Sequence, residues 1–292
     1  MIDATDTALV LEGGGMRNSY TAACIVALIE NDVRFGWVGG VSAGASHLSS
    51  YVSRDAHRAK ASFTTFATHP EFGGWQSLFR GTGYFNAEFI YENSEQALPF
   101  DWDTFRSNPC EVHVDACRAD NGETVSWTRA NMAEREDVLA MVRASSTLPL
   151  MMPIRQIDEV PYVDGALGDS GGLLIDAAEQ AGYEKFLVIA SRPRSYWKPE
   201  VRRPEALRRL YRTYPAVAEA QITRPQRYNA AKRRILDLEQ QGKAQVFFPD
   251  TMPVNVGERR VDKLEAAYQL GWEQTQREWP AWIEFLVADR RR

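Results

Sequence analysis

Residues 7–29 read TALVLEGGGMRNSYTAACIVALI. The apolar run Ala8-Leu9-Val10-Leu11 stops at Gly13-Gly14-Gly15, and a second apolar run follows from Ala22 to Ile29. A short continuous apolar run bounded by glycine predicts a buried strand over residues 7–11. The longer run predicts a helix over residues 19–31, capped by Asn18 or Ser19. Residues 37–41, WVGGV, and the stretch 43–54 repeat the pattern as a second buried strand and a second helix. Repeated strand–turn–helix units predict an α/β fold, with a largely parallel sheet covered by helices on both faces.

The remaining chain extends this reading. Residues 111–117 alternate as a strand, Asn121-Gly122 forms a hairpin turn, and residues 124–127 supply the partner strand. A helix is predicted over 138–144, a short strand ending at Tyr162-Val163, a helix over 173–180 and a buried strand over 186–190. Residues 73–105 break the rhythm, with nine aromatic residues from Trp75 to Phe105 set among glycines and polar side chains. Short helices and loops are expected there, with the aromatics serving either as core or as an apolar wall for an acyl chain. After Arg192 the prolines Pro193, Pro199 and Pro204 mark a linker. Helices over 205–220, 227–241 and 262–279 and a short strand at Val246-Phe247-Phe248 follow. The expected division is residues 1–195 as a catalytic domain and 196–292 as a mainly helical extension.

Composition narrows the function classes. The chain has 292 residues, 44% of them hydrophobic, enough for a substantial core. Met1-Ile2-Asp3-Ala4 lacks a basic start and an apolar core, so no secretory leader is expected, and no apolar run approaches the ~20 residues that span a bilayer. Three scattered cysteines and four scattered histidines show no metal-ligand spacing. Neither metal nor cofactor is expected, and Cys24, inside an apolar helical run, reads as a buried thiol in a reducing cytoplasm. The net charge of −5 is uneven. Residues 192–234 hold thirteen Lys/Arg against Glu200, Glu205 and Glu219, so this segment carries +10 and the remainder −15. Such a segment either pairs with the acidic body as a solvated face or meets the phosphate headgroups of an anionic membrane surface. Nucleic acid is not an expected partner.

Two motifs carry chemistry. The triple glycine lies between strand and helix, where bare N–H groups and a helix N-terminus attract anions. It lacks the Gly-Lys-Ser/Thr end of a phosphate loop and the G-x-G-x-x-G spacing of a dinucleotide site. Gly40-Val41-Ser42-Ala43-Gly44 is a G-x-S-x-G pentamer between a strand and a helix, the setting of a nucleophile elbow. Turns after parallel strands gather at one sheet edge, so the glycine loop and Ser42 can meet there. Amides of Gly13, Gly14 and Gly15, with that of Ala43, then suit the oxyanion formed when Ser42 attacks an acyl carbonyl. Arg17 either anchors the loop by a salt bridge or attracts an anionic headgroup. A serine needs a base. His47, His57, His69 and His113 all lie away from predicted strand-end loops of the last third. Asp164, in Tyr162-Val163-Asp164-Gly165, ends a short apolar strand and is the better candidate, against the plain alternative of an Asp-Gly turn without chemistry.

Glu12-Gly13-Gly14-Gly15-Met16-Arg17, Gly40-Val41-Ser42-Ala43-Gly44 and Asp164-Gly165-Ala166 together resemble the patatin-like phospholipase family, and the resemblance spans residues 7–195. Arg143-Ala144-Ser145-Ser146 through Pro149 and Pro153, and Ser191-Arg192-Pro193, belong to it. The resemblance implies a three-layer α/β/α fold and a Ser42–Asp164 dyad without histidine. It also implies an oxyanion hole from Gly13, Gly14 and Gly15, and acyl-ester hydrolysis on lipid or lysophospholipid through an acyl-enzyme. Two departures stand out. Asn18 replaces the family's glycine after the arginine, a residue able to adopt a left-handed backbone or to cap the helix. Ser170-Gly171-Gly172 replaces an apolar residue and proline. Acyl transfer by the same residues, or a noncatalytic lipid- or protein-binding module, are the rival functions.

Overall fold

The computed structural model describes residues 1–288. The chain opens with β1 (Ile2–Leu11), α1 (Asn18–Glu30), β2 (Val33–Gly40) and α2 (Ala43–Val52). Short helices α3 (Ala56–Ala61), α4 (Trp75–Phe79), α5 (Ala87–Tyr91) and α6 (Trp102–Ser107) follow, the last three carrying the aromatic segment. Then come β3 (Glu111–Arg118), β4 (Thr124–Thr128), α7 (Arg135–Ser145), β5 (Arg155–Ile157), β6 (Val160–Asp164), α8 (Ile175–Gln180) and β7 (Phe186–Ile189). The chain continues through α9 (Pro204–Leu210), α10 (Pro215–Gln240), β8 (Ala244–Phe247) and α11 (Val261–Val287). Among the described residues, no helix is long and apolar enough to cross a membrane.

One eight-stranded sheet runs in the order β5-β6-β3-β2-β1-β7-β8, with β4 also paired to β3. The five strands from β3 to β8 along this order are parallel to their neighbours, whereas β4, β5 and β6 join antiparallel. The expected mainly parallel α/β/α architecture is present. Alternation along β1 explains the layering, because successive side chains leave opposite faces. Leu9 and Leu11 pack with α1, α2, α7 and α11, while Ala8 and Val10 pack with Ile175 and Ala178 of α8 and Tyr228, Ile235 and Leu238 of α10.

The segment after residue 195 is woven into this body. β8 pairs in parallel with β7, from Phe186 opposite Ala244 to Ile189 opposite Phe247. α11 lies on α1: Tyr20 Oη donates to Gln274 Oε1 at 2.7 Å, and Cys24 Sγ meets Thr275 Oγ1 at 3.4 Å. This second cover explains why α1 is buried from Asn18 to Ile29, and a helix apolar on every side is a buried one. Cys24, Cys110 and Cys117 are free, buried thiols.

Several local expectations shift. The helices expected over 205–220 and 227–241 divide elsewhere, at residues 211–214. Pro215 takes the first turn of α10, where a missing N–H costs nothing, and α10 then runs through Pro225. Likewise α11 passes through Pro280 rather than stopping at 279, because Trp282 and Leu286 beyond it are buried in the core. Packing of the following turns outweighs the ~3 kcal/mol cost of an interior proline.

Candidate active site

β2 and β6 meet head-on along one edge of β3. β2 pairs in parallel with β3 and ends with Gly40 opposite Val114. β6 approaches antiparallel from the other end, and its last residue, Asp164, lies opposite Ala116. β4 occupies the other edge of β3 over both stretches. The two strand ends are therefore two residue steps apart along β3, about 7 Å at the usual rise. Ser42 follows Gly40 by two residues, so its turn stands over the end of β6.

The serine turn is strained and braced. Ser42 has φ 55° and ψ −129°, a region that costs a non-glycine residue about 1–3 kcal/mol. Its neighbours must be small: a side chain on Gly44 would fall 2.2 Å from the carbonyl oxygen of Leu11. The Ser42 amide donates to Ser145 Oγ at 2.9 Å. Two residues later the carbonyl of Thr147 takes the Asp164 amide at 2.8 Å. The end of α7 and the two residues that follow it thus brace both residues.

Asp164 is buried, and burial pushes its carboxyl above the usual carboxylate range. Arg224, a hydrogen bond from the Ser42 side chain, the Ala166 amide and Lys198 oppose that rise. The Ala166 amide donates to Asp164 Oδ1 at 2.9 Å. The carboxyl is buried, held in place and hydrogen-bonded by the Ser42 side chain.

The glycine loop lies against the same turn, since a side chain at Gly13 would fall 2.9 Å from Ser42 Cβ. Its carbonyls are tied inward. Asn18 Nδ2 donates to the Glu12 carbonyl at 3.1 Å, Ser191 Oγ to the Gly13 carbonyl at 2.8 Å, and the Arg17 amide to the Gly14 carbonyl at 3.4 Å. Among the described residues, the amides of Gly13, Gly14, Gly15 and Ala43 donate to no protein acceptor. Gly13, Gly14 and Gly15 line the cleft at Ser42. Asn18 is not left-handed, with φ −69°; it begins α1 as a helical residue and serves as a side-chain brace. Arg17 forms no ion pair among the described residues, and burial followed by repulsion from Arg192 lowers it to about 10.

The histidines are engaged elsewhere. His47 Nε2 lies 3.2 Å from the Asn18 carbonyl, its ring packs on Phe63, and burial lowers it to about 3. His113 pairs with Asp115 at 2.8 Å, His69 stacks on Phe89, and His57 is exposed. None lines either cavity that Ser42 borders.

Those two cavities differ. One is apolar and walled by Phe63, Phe66, Phe72, Phe85, Leu98 and Val142. The other, wider, holds Asp164 together with Arg17, Arg192, Lys198 and Arg224. Sequence reading missed Ser145 as a brace and these last three cations as neighbours of Ser42. The signal for the cations was the charge excess over 192–234. Among the described residues, no group of three His, Cys, Asp or Glu is arranged to hold a metal.

A mainly parallel α/β sheet, a serine on a strained strand-to-helix elbow, a buried aspartate facing it and a bare glycine loop define a class of protein built like the lipid acyl hydrolases. The chain belongs to the patatin-like phospholipase family, whose model matches residues 9–176, and residues 214–287 match a domain of unknown function, DUF6363. It is 26% identical over 200 residues to the uncharacterized protein YjjU of Escherichia coli (strain K12), covering 66% of this chain and 54% of that protein. The chain thus spans about half the length of this relative. The crystal structure of VipD from Legionella pneumophila superposes with a TM-score of 0.49 at 11% identity, covering 94% of this chain and 67% of that one.

Proposed function

We propose that the protein is a serine-dependent lipid acyl hydrolase in which Ser42 is the nucleophile and Asp164 the general base. The observation that carries this reading is the head-on meeting of β2 and β6, which sets a strained serine over a buried carboxyl with free amides beside it. A carboxyl raised by burial is a stronger base than an ordinary one and accepts the hydroxyl proton as the bond to the acyl carbonyl forms. The amides of Gly13, Gly14, Gly15 and Ala43 receive the resulting oxyanion, where loss of one donor typically costs about 3 kcal/mol of barrier. Collapse breaks the ester C–O bond as protonated Asp164 passes its proton to the departing alkoxide, which leaves as the alcohol, and the acyl group stays on Ser42. The ionised Asp164 then takes a proton from water as it attacks the acyl carbon, and returns that proton to Ser42 Oγ as the fatty acid leaves.

The apolar cavity supplies a site for the acyl chain, and Phe85, Ile90, Tyr91 and Leu98 of the aromatic segment form part of its wall. Exposed Trp75, Phe79 and Leu150, at 69%, 87% and 61% exposure, support delivery of substrate from a lipid interface. Aromatic side chains favour such boundaries.

The test is hydrolysis of a p-nitrophenyl acyl ester. Ser42→Ala and Asp164→Asn should each lower kcat at least 10³-fold with an unchanged circular dichroism spectrum. Full activity in either variant would remove the dyad, and failure of a fluorophosphonate to label Ser42 in the folded protein would favour a noncatalytic role.

A further inference from the structure

The basic segment divides once it is folded. Arg194 pairs with Glu239, Arg208 with Glu205 and Glu219, Arg227 with Asp169, and Arg234 with Glu179. Arg192, Lys198 and Arg224 make no ion pair among the described residues, and neither does Arg17; all four line the cleft that holds Ser42 and Asp164. Arg17 comes from the glycine loop, Arg192 and Lys198 from the chain after β7, and Arg224 from α10.

These cations are held together against their repulsion. Lys232 Nζ donates to the carbonyls of Arg194 and Tyr196, both at 2.6 Å, and Asn229 bonds both the amide and the carbonyl of Lys198, at 2.9 and 3.0 Å. Thus α10 clamps the cation-bearing loop in place. Arg192 lies over the Tyr196 ring at 4.5 Å and Lys198 over the Tyr228 ring at 5.1 Å. The Arg17 Nε is buried without an acceptor.

We propose that Arg17, Arg192, Lys198 and Arg224 form a phosphate site beside Ser42, so that the preferred substrate is an acylglycerol phosphate with a phosphomonoester headgroup.

This inference rests on the ester-hydrolase reading and names its substrate class. The charge balance sets the headgroup. The carboxylates that act on these cations are Glu12, on Arg17 and Lys198, and Asp164, with Arg224 and Lys198. Four cationic side chains against two carboxylates leave an excess of positive charge. A phosphomonoester, at about −1.5 to −2 at pH 7, answers that excess more fully than a singly charged phosphodiester. Burial, then Arg224, lower Lys198 to about 7, so a bound dianion also returns its full charge. The two cavities meet at Ser42, which sets the ester between an apolar chain site and a cationic headgroup site.

The test compares monoacylglycerol phosphate, monoacylglycerol and lysophosphatidylcholine of one chain length as substrates of the full chain. Monoacylglycerol phosphate should show at least tenfold higher kcat/KM than either of the others. The Arg192→Gln/Arg224→Gln pair should lower that ratio at least tenfold, and Arg208→Gln, an exposed residue paired to Glu219, should leave it unchanged. If the double variant loses its cooperative melt, Arg192→Gln alone carries the comparison, with at least a threefold fall expected. Equal kcat/KM for the phosphate and neutral substrates would overturn the phosphate site and leave ester hydrolysis standing. Calorimetry on Ser42→Ala reads the site without turnover: monoacylglycerol phosphate should bind at least tenfold more tightly than monoacylglycerol. Equal affinities would overturn the site, whereas tight phosphate-dependent binding with no cleavage by the wild type would sustain it and remove the hydrolase reading. Inorganic phosphate binding as tightly as the lipid would assign the cations to free phosphate and overturn the substrate assignment.

Discussion

The Ser145 hydroxyl accepts the Ser42 amide at 2.9 Å, two residues before Thr147, whose carbonyl takes the Asp164 amide at 2.8 Å. The end of α7 and the two residues that follow it therefore set where both residues stand. Neither bond uses the reacting atoms, so Ser145 acts through position alone.

Ser145→Ala leaves the Ser42 amide without its acceptor in a buried turn, a loss of about 1–3 kcal/mol. The expected outcome is a lower melting temperature with kcat on a p-nitrophenyl ester reduced roughly tenfold and KM little changed, because the elbow loosens while the acyl cavity stays intact. An unaltered kcat with a lowered melting temperature would show that the brace serves stability only.

Ser42→Gly removes the hydroxyl and also the strain at φ 55°. Glycine adopts that backbone freely, so relief of about 1 kcal/mol or more is expected, less the entropy glycine adds to the unfolded chain. For a chain this size that corresponds to a melting temperature about 2–4 °C higher, measured against Ser42→Ala, which keeps the strain. A Gly variant melting at or below Ala would show that the turn is not strained.

Asp164 is raised above its unfolded value, so the folded state binds its proton more tightly. Stability falls as pH rises from the ordinary carboxylate value of 3.8 through the raised folded value, and the full cost is present above it. Asp164→Asn should accordingly be more stable than wild type at neutral pH, with the difference vanishing in acid. Urea denaturation at pH 7.5 and pH 3.5 measures it. The catalytic limb runs the other way: kcat/KM should drop as pH falls through a value above the usual carboxylate range, because only the ionised carboxylate accepts the serine proton.

Val142 of α7 lines the apolar cavity. Val142→Phe fills part of that space, and the preferred chain length in a series of p-nitrophenyl esters should shorten by several carbons. Activity on the acetyl ester should change little, since an acetyl group needs little of that space. A uniform loss across the series would place the acyl chain elsewhere.

Local patterns explain which parts were legible. Ala8-Leu9-Val10-Leu11 and Trp37-Val38 are short apolar runs closed by glycine, and β1 and β2 lie over both. The elbow is likewise local: Gly40 to Gly44 sit within one turn, and the close approach of Leu11 that requires Gly44 follows from parallel strand–turn–helix packing. The division of α9 from α10, and the run of α11 through Pro280, were not legible. Those boundaries depend on the burial of Tyr228, Trp282 and Leu286 against the sheet and α1, contacts formed by residues far apart in the chain. Asn18 is expected as a left-handed residue or a helix cap, yet it is neither: Arg17 takes the cap position, and the Asn18 side chain braces the Glu12 carbonyl, which comes within its reach only in the folded loop.

By itself the sequence determined the layered α/β class, the serine turn and the bare glycine loop, because each is set by residues close along the chain. Tertiary structure alone decided that Asp164 stands at the end of β2, that Ser145 braces the turn, and that three cations of a long basic segment join Arg17 around it. Those relations arise from strand order and helix packing across intervals of about 100 residues or more, and residue spacing carries no record of them.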